Sequence, residues 1–248
     1  MRKGFLMLAG FAWVAVLFVF LAPLALAWPT LAWRNRISLL AGDLWGRGCL
    51  FFAGIRVDYS GLEHLRARPA ILLFNHSSYL DFFVNAALAE HRCLVFGKRE
   101  LVQIPFLGWG WRLGGHPLIQ REERRHWQVE LDRAEQLLKT QGYSTIIAPE
   151  GRRSRDGILL PFKKGAFHLA INTGLPILPV VIKGSAPLMK GGVPHPGKIV
   201  VKVLPPIPTT DWSAERIEEH LIGVRERYLA ELGQSLAASP VHVYVENG

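Results

Sequence analysis

The sequence predicts an α/β domain with a mostly parallel or mixed central sheet flanked by helices, preceded by an N-terminal membrane-associated helical segment. After about residue 56, short apolar runs alternate with longer stretches of helical period, as buried strands and crossover helices require. Before that point the chain is long, apolar and almost uncharged. Its 248 residues suffice for one such domain, so we expect a membrane segment over residues 1–55 and one domain over residues 56–248.

The N-terminal segment carries no charged residue from Phe5 to Trp33. The apolar core of a cleaved secretory signal is roughly 7 to 15 residues long, so we expect this longer stretch to remain as a membrane segment. Pro23 and Pro29 should break or kink it, which leaves a spanning helix and a re-entrant insertion both open. Residues 31–53 mix apolar and charged side chains, which fits an interfacial amphipathic helix or a helix packed on the core.

The strand and helix expectations rest on hydrophobic periodicity. The runs that fit buried strands are Ala70–Phe74, Cys93–Phe96, Pro117–Gln120, Ser144–Ala148, Ile177–Ile182 and Ile199–Leu204. Apolar residues recur at helical spacing from Trp127 to Leu138 and from Ile217 to Tyr228, which predicts two core-facing helices. The tail Val241–Val245 fits an edge strand or no element.

The net charge of +9 predicts attraction to polyanions, which include nucleic acid, anionic lipid and phosphorylated substrates. Basic residues follow strands instead of lining an aromatic face, and the N-terminus directs the chain to a bilayer, so we expect membrane lipids and no nucleic acid as partners. Cys49 and Cys93 have neither a disulfide framework nor metal-ligand spacing.

Three predicted strands are followed at once by polar segments, namely Asn75–Asp81, Arg121 and Pro149–Ser154. Ligands of open α/β sheets collect at the carboxyl ends of strands, so we expect these segments to face one cleft. The cleft would contain a histidine, two carboxylates and several arginines, and the arginines indicate a phosphate or carboxylate ligand.

His76 is the expected general base of this cleft, because an unperturbed imidazole has a pKa of about 6.5. Asp81, five residues on, can hold the far ring nitrogen, although the pair could also serve only to cap a turn and start a helix. No Gly-x-Ser-x-Gly elbow occurs, so the nucleophilic hydroxyl should belong to the substrate. A metal site of His76, Asp81 and His116 lacks a helical histidine pair or cysteine cluster, so we expect none.

Asn75–Asp81 and Pro149–Ser154 together resemble the first and third signature blocks of the 1-acylglycerol-3-phosphate acyltransferases. Residues 98–101, 104–108 and 115–121 look similar to the second block of that family, and residues 162–165 and 175–180 look similar to the fourth. The resemblance spans about residues 56–205 and identifies 56–248 as a glycerolipid acyltransferase domain. It implies that His76, held by Asp81, deprotonates the sn-2 hydroxyl of lysophosphatidic acid for attack on acyl-CoA or acyl carrier protein.

The same resemblance implies that Glu150, Gly151 and Arg153 bind the acceptor, with Arg153 and Arg121 on its phosphate. Lys98 is a candidate oxyanion stabiliser beside backbone amides. No cofactor is expected beyond the acyl-CoA or acyl carrier protein co-substrate.

Acyl thioesters are cytoplasmic, so the resemblance implies an inner (cytoplasmic) membrane enzyme whose catalytic domain faces the cytoplasm. Other acceptors stay open, such as a lyso-ornithine lipid or a lysophospholipid with a larger head group. A non-enzymatic adaptor that binds anionic lipids is the alternative from a different class. Such an adaptor would not need His76 paired with Asp81.

Overall fold

The computed structural model describes residues 2–90, 92–119 and 124–235. In chain order its elements are α1 (Arg2–Leu26), α2 (Leu31–Ala53), β1 (Ile55–Ser60), β2 (Ile71–Phe74), α3 (Leu80–Ala86), β3 (Cys93–Val95), β4 (Gly97–Lys98), α4 (Leu107–Leu113), β5 (Leu118–Ile119), α5 (Arg124–Gln141), β6 (Ser144–Ile147), α6 (Gly165–Thr173), β7 (Ile177–Lys183), β8 (Met189–Lys190), β9 (Val193–Pro194), β10 (Gly197–Val203) and α7 (Ile217–Leu232). Short 3-10 turns occupy Leu62–Ala67, Arg99–Gln103 and Ala214–Arg216. Arg121 and the tail Val241–Val245 lie outside the described residues.

The first two helices form an antiparallel hairpin. The indole N–H of Trp13 donates to the carbonyl of Leu44 at 2.9 Å, and that of Trp45 donates to the carbonyl of Gly10 at 3.1 Å. These bonds satisfy the polar end of each indole inside an otherwise apolar helix contact. The part of α1 from residue 4 to residue 26 is long and apolar enough to cross a membrane, and its side chains are mostly exposed.

The hairpin turn lies later than the first proline. Pro23 is inside α1, which ends at Leu26, and Pro29 lies in the connection to α2. Thr30 then caps α2 by accepting a hydrogen bond from the backbone N–H of Trp33. The side-chain oxygen of Thr30 satisfies one of the amides that every helix N-terminus leaves without an internal partner.

Helix α2 packs on the folded domain, which is one of the two alternatives that its composition left open. Its buried face includes Ile37, Leu39 and Leu50. Gly46 makes the closest approach, because a Cβ there would lie 2.8 Å from the carbonyl oxygen of Phe83 in α3. Helices α2 and α3 therefore touch backbone to backbone at this point.

The central sheet is mixed, as the sequence predicts. Its strand order is β1-β10-β7-β2-β6-β3, and every neighbouring pair is parallel except β10 with β7. Successive residues of β2 point to opposite faces, so that Ile71 and Leu73 join one core cluster and Leu72 joins the other. Helices α5, α6 and α7 cover the first face, while α2 and α3 cover the second.

Most predicted elements are confirmed, because β2, β3, β6, β7 and β10 match predicted buried strands and α5 and α7 match the predicted helices. The run Pro117–Gln120 was wrongly predicted to be a buried strand of the central sheet. Leu118–Ile119 instead pairs with Gly97–Lys98 in a separate two-stranded sheet. Strand β1 was missed, although its alternating exposed and buried residues are the pattern of a half-covered edge strand.

Side chains cover the outer edge of β3, where no further strand is added within the described residues. The side chain of Asn35 on α2 bonds both the N–H and the carbonyl of Cys93, and it also donates to the carbonyl of Gly114. His116 Nδ1 accepts from the N–H of Val95. These side chains hydrogen-bond the outward-facing backbone groups of β3, with which another strand would otherwise pair.

Replacing Asn35 by leucine tests this cap. The substitution leaves the buried N–H and carbonyl of Cys93 without their partners, so we expect the free energy of unfolding to fall by about 2–3 kcal/mol. Thermal and denaturant unfolding in detergent would measure the change. Asn172→Leu, at an exposed position on α6 with one side-chain bond, is the matched control and should change stability by less than about 0.5 kcal/mol. Equal effects of the two substitutions would contradict the role of Asn35.

Candidate active site

The loops after β2 and β6 meet at the carboxyl ends of these two parallel strands. The backbone N–H of Ser154 donates to the carbonyl of His76 at 2.8 Å. The Asn75 side chain fixes the start of the first loop, because it donates to the carbonyl of Ile182 and accepts from the N–H of the same residue. The structure thus joins two of the three polar segments, and the third, at Arg121, lies outside the residues it describes.

His76 and Asp81 form a directly bonded pair. His76 Nδ1 lies 2.9 Å from Asp81 Oδ2, and the same oxygen accepts the backbone N–H groups of Ser77 at 2.7 Å and Ser78 at 2.8 Å. Asp81 is fully buried in the first turn of α3. A carboxylate only accepts, so His76 Nδ1 carries the proton and Nε2 is the nitrogen that can accept another.

The backbone of His76 is fixed by the buried side chain of Glu150. Glu150 Oε1 accepts the N–H of His76 at 2.6 Å, and Glu150 Oε2 accepts the N–H of Leu160 at 2.9 Å. Burial raises the pKa of Glu150 to about 8, while the two backbone donors act to lower it. Both side-chain oxygens of Glu150 bond the main chain, so Glu150 positions His76 in this arrangement.

Arg153 lies at the mouth of the site on an aromatic support. Its guanidinium carbon is 3.4 Å from the ring centroid of Tyr79, an exposed side chain of the His76 loop. A guanidinium stacked in this way keeps its N–H edge available for an anion. Sequence reasoning missed Tyr79, although an aromatic residue three positions after the histidine was a usable signal.

Gly151 takes a backbone conformation that favours glycine, with φ of +68°. A Cβ at this position would also lie 3.0 Å from the stem of Lys163, which crosses over it. Glycine therefore lets the loop after β6 turn sharply while a second cation lies against it.

These groups border one cavity of about 2140 Å³, which is lined by residues of α2, α3 and α4 and also by residues of α5, α6 and α7. One half is rich in cations, because it is lined by Arg152, Arg153, Arg155, Lys163 and Lys164, of which Lys164 is paired with Glu218 at 2.8 Å. The other half is largely apolar and is lined by Leu39, Trp45, Phe82, Phe83, Ala86, Ala89 and Trp111. His76 borders the cavity with 24% of its side chain exposed. Lys98 also lines the cavity, as an exposed residue of β4.

Other candidate groups have structural partners. His116 Nε2 lies 3.2 Å from Ser38 Oγ, and burial lowers the pKa of His116 to about 4. Burial raises the pKa of the Cys93 thiol to about 12, which makes it a poor nucleophile. Among residues 2–90, 92–119 and 124–235, no three His, Cys, Asp or Glu side chains are grouped so that they could hold a metal ion.

Comparison with known proteins decides the family. A family model described as Acyltransferase matches residues 56–183, which is more than half of the chain. The 1-acyl-sn-glycerol-3-phosphate acyltransferase of Limnanthes douglasii is 35% identical over 214 residues, covering 86% of this chain and 75% of its own. The chain belongs to the 1-acyl-sn-glycerol-3-phosphate acyltransferase family. The resemblance drawn from the two signature segments is confirmed, and the protein is an O-acyltransferase.

Two further proteins of this family are similar to the chain. The 1-acyl-sn-glycerol-3-phosphate acyltransferase of Saccharomyces cerevisiae is 36% identical over 191 residues, covering 74% of this chain and 63% of its own. The crystal structure of the 1-acyl-sn-glycerophosphate acyltransferase PlsC from Thermotoga maritima superposes with a TM-score of 0.73 at 26% identity. That match covers 94% of this chain and 98% of the other, so it includes the N-terminal hairpin as well as the acyltransferase domain.

Glu150→Gln separates positioning of His76 from binding of substrate. An amide has one oxygen, so its NH2 group must face one of the two backbone N–H donors that the two oxygens of Glu150 accept from. We expect kcat to fall about 10- to 100-fold through displacement of His76, while the acceptor KM changes less than threefold. Steady-state kinetics would measure both. Glu231→Gln, at a surface pair with Lys202, is the control. A raised KM at unchanged kcat would instead assign Glu150 to the acceptor.

Proposed function

We propose that this enzyme transfers an acyl chain from acyl-CoA or acyl carrier protein to the sn-2 hydroxyl of lysophosphatidic acid, giving phosphatidic acid. The observation that carries the proposal is the 2.9 Å bond between His76 and Asp81, placed beside a cavity with one cationic and one apolar half. The cationic half suits the phosphate of the acceptor, and the apolar half suits the acyl chain of a substrate. The names of the family relatives support the choice of acceptor.

In this mechanism His76 Nε2 takes the proton of the acceptor hydroxyl while its oxygen attacks the thioester carbonyl carbon. Asp81 keeps the imidazole in the required tautomer and stabilises the imidazolium that forms. The tetrahedral intermediate then collapses, the C–S bond breaks, and the proton on Nε2 passes to the departing thiolate. The nucleophile comes from the substrate, so no acyl-enzyme forms, and no cofactor beyond the acyl thioester takes part.

The developing oxyanion of the tetrahedral intermediate requires a donor. Lys98 is our candidate for that donor, beside backbone amides, because it is an exposed cation on the cavity wall. Two amides of the His76 loop, those of Ser77 and Ser78, already donate to Asp81 and serve the histidine instead.

The acceptor phosphate is assigned to Arg153. Its guanidinium is planar, permanently charged and held against the ring of Tyr79, so two N–H groups can meet two phosphate oxygens with little loss of side-chain freedom. By the family pattern Arg121 is a second phosphate ligand. Gly151 lets the loop that carries Arg153 turn sharply after β6.

We place the enzyme on the inner, cytoplasmic membrane with its catalytic domain facing the cytoplasm, where acyl thioesters are made. The exposed apolar side chains of α1 would lie in lipid, and α2 would rest between lipid and the domain on which it packs. A hairpin that returns to its starting side favours re-entrant insertion in one leaflet over a single span. The apolar half of the cavity, which α2 borders, would then receive chains from the bilayer.

Thiol release tests the chemistry directly. Detergent-purified enzyme is supplied with acyl-CoA and lysophosphatidic acid. The rate of thiol release should be about 100- to 10,000-fold lower for His76→Ala than for the wild type, because general-base assistance is removed. His195→Ala, outside the cavity near β9, is the matched control and should keep full activity. Undiminished thiol release by His76→Ala would overturn the mechanism.

The phosphate assignment predicts a different kinetic signature. Arg153→Ala should raise the KM for lysophosphatidic acid about 10- to 100-fold and leave the donor KM nearly constant, because one anion contact is lost. Tyr79→Leu should raise the same KM by a smaller factor, and Tyr79→Phe should restore it, because phenylalanine still supports the guanidinium. A rise confined to the donor KM would contradict the assignment.

A further inference from the structure

Asn85 lies on the wall of the apolar half of the cavity. It follows Asp81 by four residues on α3, so the two side chains are separated by about 6 Å along the helix axis. The residue is 5% exposed and borders the cavity. Phe82 and Ala86 of α3 line the same cavity, as does Ala89, which follows the helix.

The amide of Asn85 has no hydrogen-bond partner within the described part of the chain. Neither Oδ1 nor Nδ2 is bonded to any residue that the structure describes, and both atoms are buried. Two other polar side chains of this half differ in this respect, since Ser38 and His116 bond each other and nearby backbone. A buried amide without a partner is costly, whereas leucine of similar shape would avoid that cost.

The position of Asn85 identifies the kind of partner that is missing. Under the proposed function, on which this inference rests, the apolar half holds an acyl chain whose carboxyl end lies at His76. A plain alkyl chain would leave the amide unpaired. A hydroxyl can accept from Nδ2 and donate to Oδ1, so it matches both ends of the amide. The separation of about 6 Å from Asp81 places such a hydroxyl near the carboxyl end of the chain.

We propose that Asn85 is a specificity residue that recognises a hydroxyl group on an acyl chain bound in the apolar half of the cavity. The enzyme would then prefer a hydroxylated chain over a plain chain of equal length. The hydroxyl could enter on the donor chain or on the acyl chain of the acceptor. Separate experiments with each substrate distinguish the two.

Competition between two donors tests the proposal. Purified enzyme receives plain lysophosphatidic acid with an equal mixture of a 3-hydroxyacyl-CoA and the unsubstituted acyl-CoA of the same length, and mass spectrometry measures the product ratio. A second arm uses plain acyl-CoA with hydroxylated and plain acceptors. We expect a preference of about tenfold for the hydroxylated chain in one arm, which Asn85→Leu abolishes. Equal product ratios in wild type and Asn85→Leu, in both arms, would overturn the proposal.

Thermal unfolding supplies an independent readout. Asn85→Leu should unfold at the same or a higher temperature than the wild type without ligand, because it removes an unpaired buried amide. A lower unfolding temperature would show that Asn85 has a structural partner and would count against recognition. The stabilisation of each protein by the two acyl-CoA donors is measured in the same assay. A preference seen in binding with no turnover of lysophosphatidic acid would sink the proposed acceptor while keeping the role of Asn85.

Discussion

The site depends on a clamp that holds the main chain of His76 between two loops. Glu150 accepts the N–H of His76, and the N–H of Ser154 donates to its carbonyl, so both sides of this residue are tied to the segment after β6. Asn75 ties the preceding residue to β7. The imidazole is therefore fixed relative to three adjacent strands, β6, β2 and β7, before any substrate binds, and Asp81 then sets which nitrogen is free.

The N-terminal hairpin also contributes to the structure of the site. Helix α2 supplies a wall of the cavity and caps the edge of β3 through Asn35, so the hairpin also completes the domain. The close contact at Gly46 sets how near α2 lies to α3, which carries Asp81 and Asn85. The position of the N-terminal hairpin and the shape of the apolar half are thus physically coupled.

The buried strands could be predicted because doubly covered strands are continuously apolar, and the cleft could be predicted because strand ends collect polar residues. The apolar run that begins at Pro117 has the composition of a buried strand, but its described strand Leu118–Ile119 lies outside the central sheet, where Asn35 and His116 bond the backbone of the β3 edge. The main-chain bonds of Glu150 and the unpaired amide of Asn85 depend on tertiary contacts, which no local pattern records.

The central claim is that the acceptor hydroxyl, activated by His76, is the nucleophile. Rapid mixing of enzyme with acyl-CoA in the absence of acceptor, followed by thiol detection in the first turnover, tests it most directly. The account predicts no burst of thiol until lysophosphatidic acid is added, because chemistry needs both substrates together. A burst equal to the enzyme concentration without acceptor would reveal an acyl-enzyme and would contradict the account.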